Sequence, residues 1–380
     1  MKSLEHVVPP LDTGPCSSVG RGHSVPCGKA AVVGLQCGME WARPQYSHQE
    51  INRSGKVIAN ALAHEDEVDR ALEIINNWRS SHAYPLAIFQ AQLRAKIRRL
   101  NLESTIAQRI KRLPSITRKL KLFPKMKLSQ MQDIGGCRAV VSSCIEVRKL
   151  VNSYKNSYSP HFLHEEYDYI QKPKSSGYRG IHLVYRYSSA SKPAYKNLRI
   201  ELQFRSARQH AWATAVEIVD HFTRQALKSS QGEEDWKRFF ALMGCAIALR
   251  EKCPAVPETP SERHALRKEI REYERKLRFI ERLDTYRAIF EPPPFIRKQK
   301  PQIFLLCLDL EEQRIEADVY KDAQLEEAFE DYAKAEKRYQ GDRWDIVLVS
   351  VKSLSALRRA YPNYFLDTSL FMKEVKRAIR

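Results

Sequence analysis

Leu198-Arg199-Ile200-Glu201-Leu202-Gln203-Phe204-Arg205 alternates throughout, with apolar residues on the even numbers and polar or charged residues on the odd. Side chains along a strand point to opposite faces with a period of two. The stretch therefore predicts a sheet strand with one apolar face and one face carrying Arg199, Glu201, Gln203 and Arg205. Such a mixture of carboxylate, amide and guanidinium groups suits a sheet with a catalytic face. Residues 137–142 (CRAVVS) and 181–187 (IHLVYRY) read as further strands, rich in β-branched and aromatic residues. Residues 144–157 and 207–227 read as helices, so this middle part mixes strand and helix.

Toward the N-terminus, Val57, Ile58, Leu62, Val68, Leu72, Ile75 and Trp78 fall at helical spacings and predict a helix over 55–80. Tyr84-Pro85 breaks it, and a second helix is expected over 86–113. Residues 1–38, rich in Gly, Pro, Ser and Cys, read as a disordered tail or a start-site artefact ahead of Met39. Toward the C-terminus, Pro254, Pro257 and Pro260 mark a boundary after a main domain spanning 39–255. A charged helix follows over 262–290, within a connector spanning 256–294. Its seam, Leu266, Ile270, Tyr273, Leu277 and Ile280, suits packing on a neighbour. Residues 295–380 then read as a small α+β domain: a hairpin (PQIFLLCLDL, RIEADVYK), a helix from Asp322 to Tyr339, the strand WDIVLVSV, and short helices from Ser353 and Thr368.

The chain has 380 residues, and Lys+Arg exceed Asp+Glu by 64 − 45 = +19, which points to a polyanionic partner. Its apolar runs fall short of the ~20 residues that a membrane helix needs, so no membrane partner is expected. No secretory signal is legible. None of the eight cysteines is spaced C-x-x-C, so a zinc site is not expected and the thiols read as reduced, in a cytoplasmic protein.

Between Arg94 and Lys127 stand twelve Lys/Arg and one acid, Glu103, too one-sided for mutual pairing. Arginine forks and a lysine near a serine, as in 109–119, suit a polyphosphate, and no P-loop motif is present. Asp133 precedes the strand at 137–142, and Glu201 lies on the polar face of the later strand. Brought together, the two could hold Mg²⁺ against nucleotide phosphates. Residues 168–182 (DYIQKPKSSGYRGIH) form a basic, Gly-containing loop entering a strand. Its lysines suit phosphate, its glycines permit close approach, and Tyr178 can stack on a base.

These motifs, RIKRLPSITRKL (109–120), DIGGCRAVV (133–141), DYIQKPKSSGYRGIH and ELQFRS (201–206), preceded by WRSSHAYPL (78–86), resemble in order those of the RelA/SpoT-type pyrophosphokinase (alarmone synthetase) domain. The resemblance implies an α+β fold, a nucleotidyltransferase-like mixed sheet flanked by helices. It also implies transfer of the ATP β,γ-pyrophosphate to a ribose 3′-hydroxyl. Carried over by motif, Arg109 and Arg138 sandwich the adenine, while Lys111, Ser115 and Lys119 face the phosphates. Asp133 ligates Mg²⁺, and Glu201 helps hold the metal or deprotonates the acceptor. Tyr178 stacks on the acceptor base near Lys174, Gly177, His182, Gln203 and Arg205. The loop here ends S-G-Y-R-G where the family pattern resembles N-G-Y-Q-S, which puts a guanine nucleotide acceptor in question. No His-Asp dipeptide occurs, so the family's metal-dependent hydrolase partner domain is not expected.

The segment after 260 resembles the C-terminal domain of fused toxin–antitoxin members, the CapRel type, through its charged helix and Tyr361-Pro-Asn-Tyr364. That likeness implies that Tyr361 and Tyr364 hold the ATP site off, and that a phage capsid protein releases it. The enzyme then pyrophosphorylates the 3′-CCA end of tRNA, in abortive infection. Arg94, Lys96, Arg98 and Arg99 are candidates for the tRNA backbone. The alternative is a small alarmone synthetase making guanosine or adenosine polyphosphates such as ppGpp and pppGpp.

Overall fold

The computed structural model describes residues 41–60, 64–226, 233–283, 303–309, 312, 314–321, 324–339, 344–350 and 368–380. The tail over 1–38, the short helix expected from Ser353, and Tyr361 and Tyr364 lie outside the described residues.

Five strands form the central sheet: β1 (Ser104–Ile110), β2 (Gly135–Val141), β3 (Phe162–Asp168), β4 (Ile181–Arg186) and β5 (Arg199–Ser206). Their order is β1-β2-β5-β4-β3. The β2–β5 pair is parallel and the other pairs are antiparallel, so the sheet is mixed. The alternating stretch is the middle strand, β5. Its polar face is not a solvent face, since Glu201 is 9% exposed and Arg205 6%. The apolar face carries Cys137, Ala139 and Val141 of β2, Leu183 and Tyr185 of β4, and Ile200, Leu202 and Phe204 of β5. Against it pack Leu86, Phe89 and Leu93 of α3 (Ala83–Arg99) and Val147, Leu150 and Val151 of α5 (Cys144–Lys155). Burying each such side chain contributes roughly 1.5–3 kcal/mol.

The helix expected over 55–80 is two helices, α1 (His48–Ala59) and α2 (Glu65–Ser81). Asn60 and His64, at the facing ends, are both extended. Ser47 and Glu50 close a capping box on α1, which starts well before residue 55. The helix expected over 86–113 is also corrected. It stops at Arg99, Asn101 turns the chain with φ 49°, and β1 follows. Ile106 and Ile110 are four apart and fit helical spacing as well as strand spacing. β1 is an edge strand in which only Ala107 is fully buried, so alternation gave little signal. The basic run resumes in α4 (Leu113–Leu122).

Beyond the sheet come α6 (Ala207–Ala226), α7 (Glu233–Arg250) and α8 (Arg263–Leu277). The helix expected over 262–290 is broken at Arg278, which is left-handed with φ 47°. Leu266, Ile270 and Leu277 are buried in this chain's own core, with Phe239 and Leu242 of α7, so the seam has an intramolecular partner. A second sheet, antiparallel β7-β6-β8, contains β6 (Ile303–Asp309), β7 (Arg314–Tyr320) and β8 (Trp344–Ser350). α9 (Leu325–Arg338) packs on it through Ala328, Tyr332 and Ala335. Edge strand β8 lies against β1. The last helix, α10 (Ser369–Ile379), packs back on α6, α7 and α8. There Phe371 stacks on Phe240 at 5.8 Å, and buried Glu374 ion-pairs with Arg208 at 3.3 Å and with Arg250. No helix among the described residues is long and apolar enough to cross a membrane.

Candidate active site

Sheet register assembles the site in two rows. Arg109, Gly136, Glu201 and Val184 are successive cross-strand partners on β1, β2, β5 and β4. The next row runs Ala107, Arg138, Gln203, His182 and Tyr167. Partners share a face, so Arg109 and Arg138 are diagonal neighbours. A Cβ on Gly136 would meet only the Glu201 carbonyl, at 3.9 Å, so the floor between Arg109 and Glu201 is open.

One half of the site is a lysine–carboxylate knot. Lys111 donates to Asp133 Oδ2 at 2.6 Å and Lys119 to Oδ1 at 3.1 Å. Burial pushes the Asp133 carboxyl up, but the two ammonium groups prevail and hold it down at about 2. Burial lowers the Lys111 ammonium, against the pull of Asp133. Ser115 lies in the first turn of α4, whose cap residue Arg112 makes no side-chain capping bond and whose first turn carries no acid. That helix end keeps its positive character close to Lys111. Buried Arg79 of α2 fixes the connection by donating to the Lys111 carbonyl at 3.0 Å.

The other half is a hydrogen-bonded chain. Arg205 donates to the Tyr178 hydroxyl at 3.0 Å, and that hydroxyl lies 2.5 Å from His182 Nε2. His182 Nδ1 donates to Glu201 Oε1 at 2.8 Å, and Gln203 donates to Oε2 at 2.7 Å. Burial and the nearby Asp133 raise the Glu201 carboxyl, but His182 and Gln203 outweigh them and leave it below its usual value. The guanidinium of Arg205 lies over the Tyr178 ring at 5.1 Å, and its buried Nε and Nη1 find no acceptor among the described residues. Two unspent buried donors suit an oxygen-rich ligand. Lys174 sits over Tyr169 at 4.4 Å and over Tyr178 at 5.5 Å.

Asp133 stands two residues ahead of Gly135, and Gly135 and Gly136 of β2 pair with Ile200 and Glu201 of β5, so the two carboxylates come from the same end of the sheet. Two carboxylates beside lysines are a hard-oxygen donor set that fits Mg²⁺. A bound ion would neutralise phosphate charge there.

The loop over 174–180 is clamped from behind by α7. Gly177 has φ 92°, and a Cβ there would meet the Phe240 carbonyl at 2.7 Å. A Cβ on Gly244 would strike Gly177 at 2.7 Å. Arg179, 2% exposed, pairs with Glu251 at 3.3 Å, and Glu251 also accepts from Ser206 and Gln209. The sequence reading missed Glu251, Arg79, Tyr167 and Tyr169. Glu251 lies outside the motifs and Arg79 inside the lead-in stretch 78–86, and nothing local announces the partners of either.

Of the other candidates, Lys96 is committed locally. It donates to the Ser153 carbonyl at 2.8 Å and to Ser157 Oγ at 2.6 Å, over the Tyr154 ring. Arg98 and Arg99 are exposed at the end of α3, and Arg94 is half-buried near Cys137.

Residues 108–221 match the family model described as the region found in RelA / SpoT proteins. Similar proteins include a putative ankyrin repeat protein of Rickettsia felis, 35% identical over 116 residues that make up 30% of this chain and 9% of that one. The GTP pyrophosphokinase YjbM of Bacillus subtilis is 30% identical over 118 residues, 30% of this chain and 56% of its own. This chain therefore spans about half the length of that pyrophosphokinase. The solved small alarmone synthetase 1 of Bacillus subtilis bound to its product pppGpp aligns with 51% of this chain and 90% of its own, at 20% identity and a TM-score of 0.34.

Proposed function

We propose that the protein is an ATP-dependent pyrophosphokinase that is held off by its C-terminal region. The observation that carries this reading is the convergence of Asp133, with its two lysines, on Glu201 across a sheet face that also bears Arg109 and Arg138. The acceptor 3′-oxygen attacks the β-phosphorus of ATP. The bond from that phosphorus to the α–β bridging oxygen breaks, and AMP leaves. Glu201, kept ionised by His182 and Gln203, takes the hydroxyl proton. Lys111 and Lys119 turn to the phosphates, with Ser115 alongside, and Arg109 and Arg138 flank the adenine. Asp133 and Glu201 would hold Mg²⁺. Such a reaction needs in-line positioning and charge neutralisation more than covalent catalysis.

The acceptor we favour is the 3′-CCA end of tRNA. The net charge of +19 supports a polyanion. The departure at Arg179, an inward-facing residue paired with Glu251, supports an acceptor loop unlike the usual pattern. The relative named a GTP pyrophosphokinase favours the second reading, a guanosine nucleotide acceptor. Autoinhibition through Tyr361 and Tyr364 draws support from the second sheet. Tyr332 of α9 accepts a hydrogen bond from Arg79 at 2.8 Å, and Arg79 in turn holds the Lys111 carbonyl. A phage capsid protein is the proposed trigger, in defence by abortive infection in the cytoplasm. Expression tests this reading: Tyr361→Ala with Tyr364→Ala should arrest growth, and adding Glu201→Ala should restore it. Harmless expression of a folded double variant would count against it.

A further inference from the structure

Tyr178 offers one aromatic station to an acceptor, and a mononucleotide carries one base. The structure has a second station beside it. Tyr167 and Tyr169 lie two apart at the end of β3 and run parallel, with ring centroids 5.8 Å apart and planes within 5°. Tyr167 is the cross-strand partner of His182, and the Tyr169 N–H donates to the Gly180 carbonyl at 2.9 Å, so both belong to the site's face. Tyr169 meets Tyr178 edge-on at 5.8 Å and His182 at 5.4 Å. Both rings are partly exposed. The Tyr167 hydroxyl is tied to Glu165 and to Gln132, next to Asp133, which fixes the ring. The Lys174 ammonium lies 4.4 Å from the Tyr169 ring centre, where a base can replace it and leave it to a neighbouring phosphate. Parallel aromatic rings with a lysine at hand are what single-stranded nucleic acid uses for sequence-tolerant stacking.

We infer that Tyr167 and Tyr169 form a stacking platform for the nucleobase preceding the acceptor nucleotide, so that the site takes the single-stranded 3′ end of an RNA. The inference rests on the pyrophosphokinase reading for its acceptor position, but its test is a binding measurement that needs no turnover. The probe is a short RNA ending in CCA with a fluorescent 5′ end. It is read by anisotropy against the full chain carrying Tyr361→Ala and Tyr364→Ala. Tyr169→Leu should weaken binding about tenfold, and Tyr169→Phe, which keeps the ring, should stay within about twofold of the parent. GDP binding, measured on the same variants, should not follow the Leu–Phe difference. Unchanged RNA binding in Tyr169→Leu overturns the platform. So does an equal loss for GDP, or no RNA binding by the parent. Failure of label transfer from ATP to any acceptor would instead overturn the proposed activity and leave the binding result standing.

Discussion

In the proposed reaction Asp133 and Glu201 carry the chemistry, and both are held ionised by contacts that overcome their burial. Glu201→Gln keeps the shape and removes the base, so transfer should fall by about 10²-fold or more, with unfolding temperature unchanged. Because the Glu201 carboxyl is held below its usual value, the acidic limb of the rate profile should lie below the ordinary glutamate range. A limb near pH 6 would contradict Glu201 as the base. His82 makes a separate prediction about stability. It is 1% exposed, its Nδ1 donates to the Trp78 carbonyl at 2.7 Å, and burial lowers it from 6.5 to about 4. The unfolded chain takes up this proton first, so stability is full above pH 6.5 and falls as the pH drops toward 4. The loss should reach about 3 kcal/mol in urea unfolding, and His82→Gln should flatten it. Candidate site residues could be named from the sequence where a motif carried them, as with Asp133 and Lys119, which the fold pairs, and Glu201 on the middle strand. Arg79 and Glu251 could not, because their roles come from partners that are distant in sequence.

Among the elements, α7 meets both the 174–180 loop and α10. One side of it receives the loop through Gly244 on Gly177, with Glu251, just past its end, on Arg179; Phe240 and Arg250 receive α10. Glu251→Ala leaves a buried arginine unpaired and should cost about 3 kcal/mol in unfolding. It should also raise the KM for the acceptor more than the KM for ATP, which steady-state kinetics would separate. The middle strand was legible because its alternation is complete and both its faces are used. The edge strand β1 was not: its register is set by β2, and its two isoleucines suit either periodicity. The break between α1 and α2 likewise left no Pro or Gly to mark it.

At the scale of the whole molecule, the second sheet is tethered at both ends to the body that holds the first, since α8 precedes it and α10 returns to α6–α8. Its release would be a hinged movement, with α10 still seated. Phe371, fully buried, should cost about 3–5 kcal/mol when replaced by alanine. Removing everything after residue 255 would uncover the same core, so activation is better sought in the full chain. Tyr332→Phe deletes the bond to Arg79 while keeping the ring, and should raise basal transfer if the second sheet restrains the site. Overall charge was legible from composition; the return of α10 was not, because an amphipathic helix does not specify which neighbour covers it. The most direct measurement uses the full chain with Tyr361→Ala and Tyr364→Ala, γ-labelled ATP, Mg²⁺, deacylated tRNA and GDP. The account predicts label on the tRNA 3′ end with one AMP released per transfer. Label on GDP alone would keep the enzyme class and move the acceptor to the nucleotide reading. ATP left intact, or label lost only as orthophosphate, would contradict the central claim.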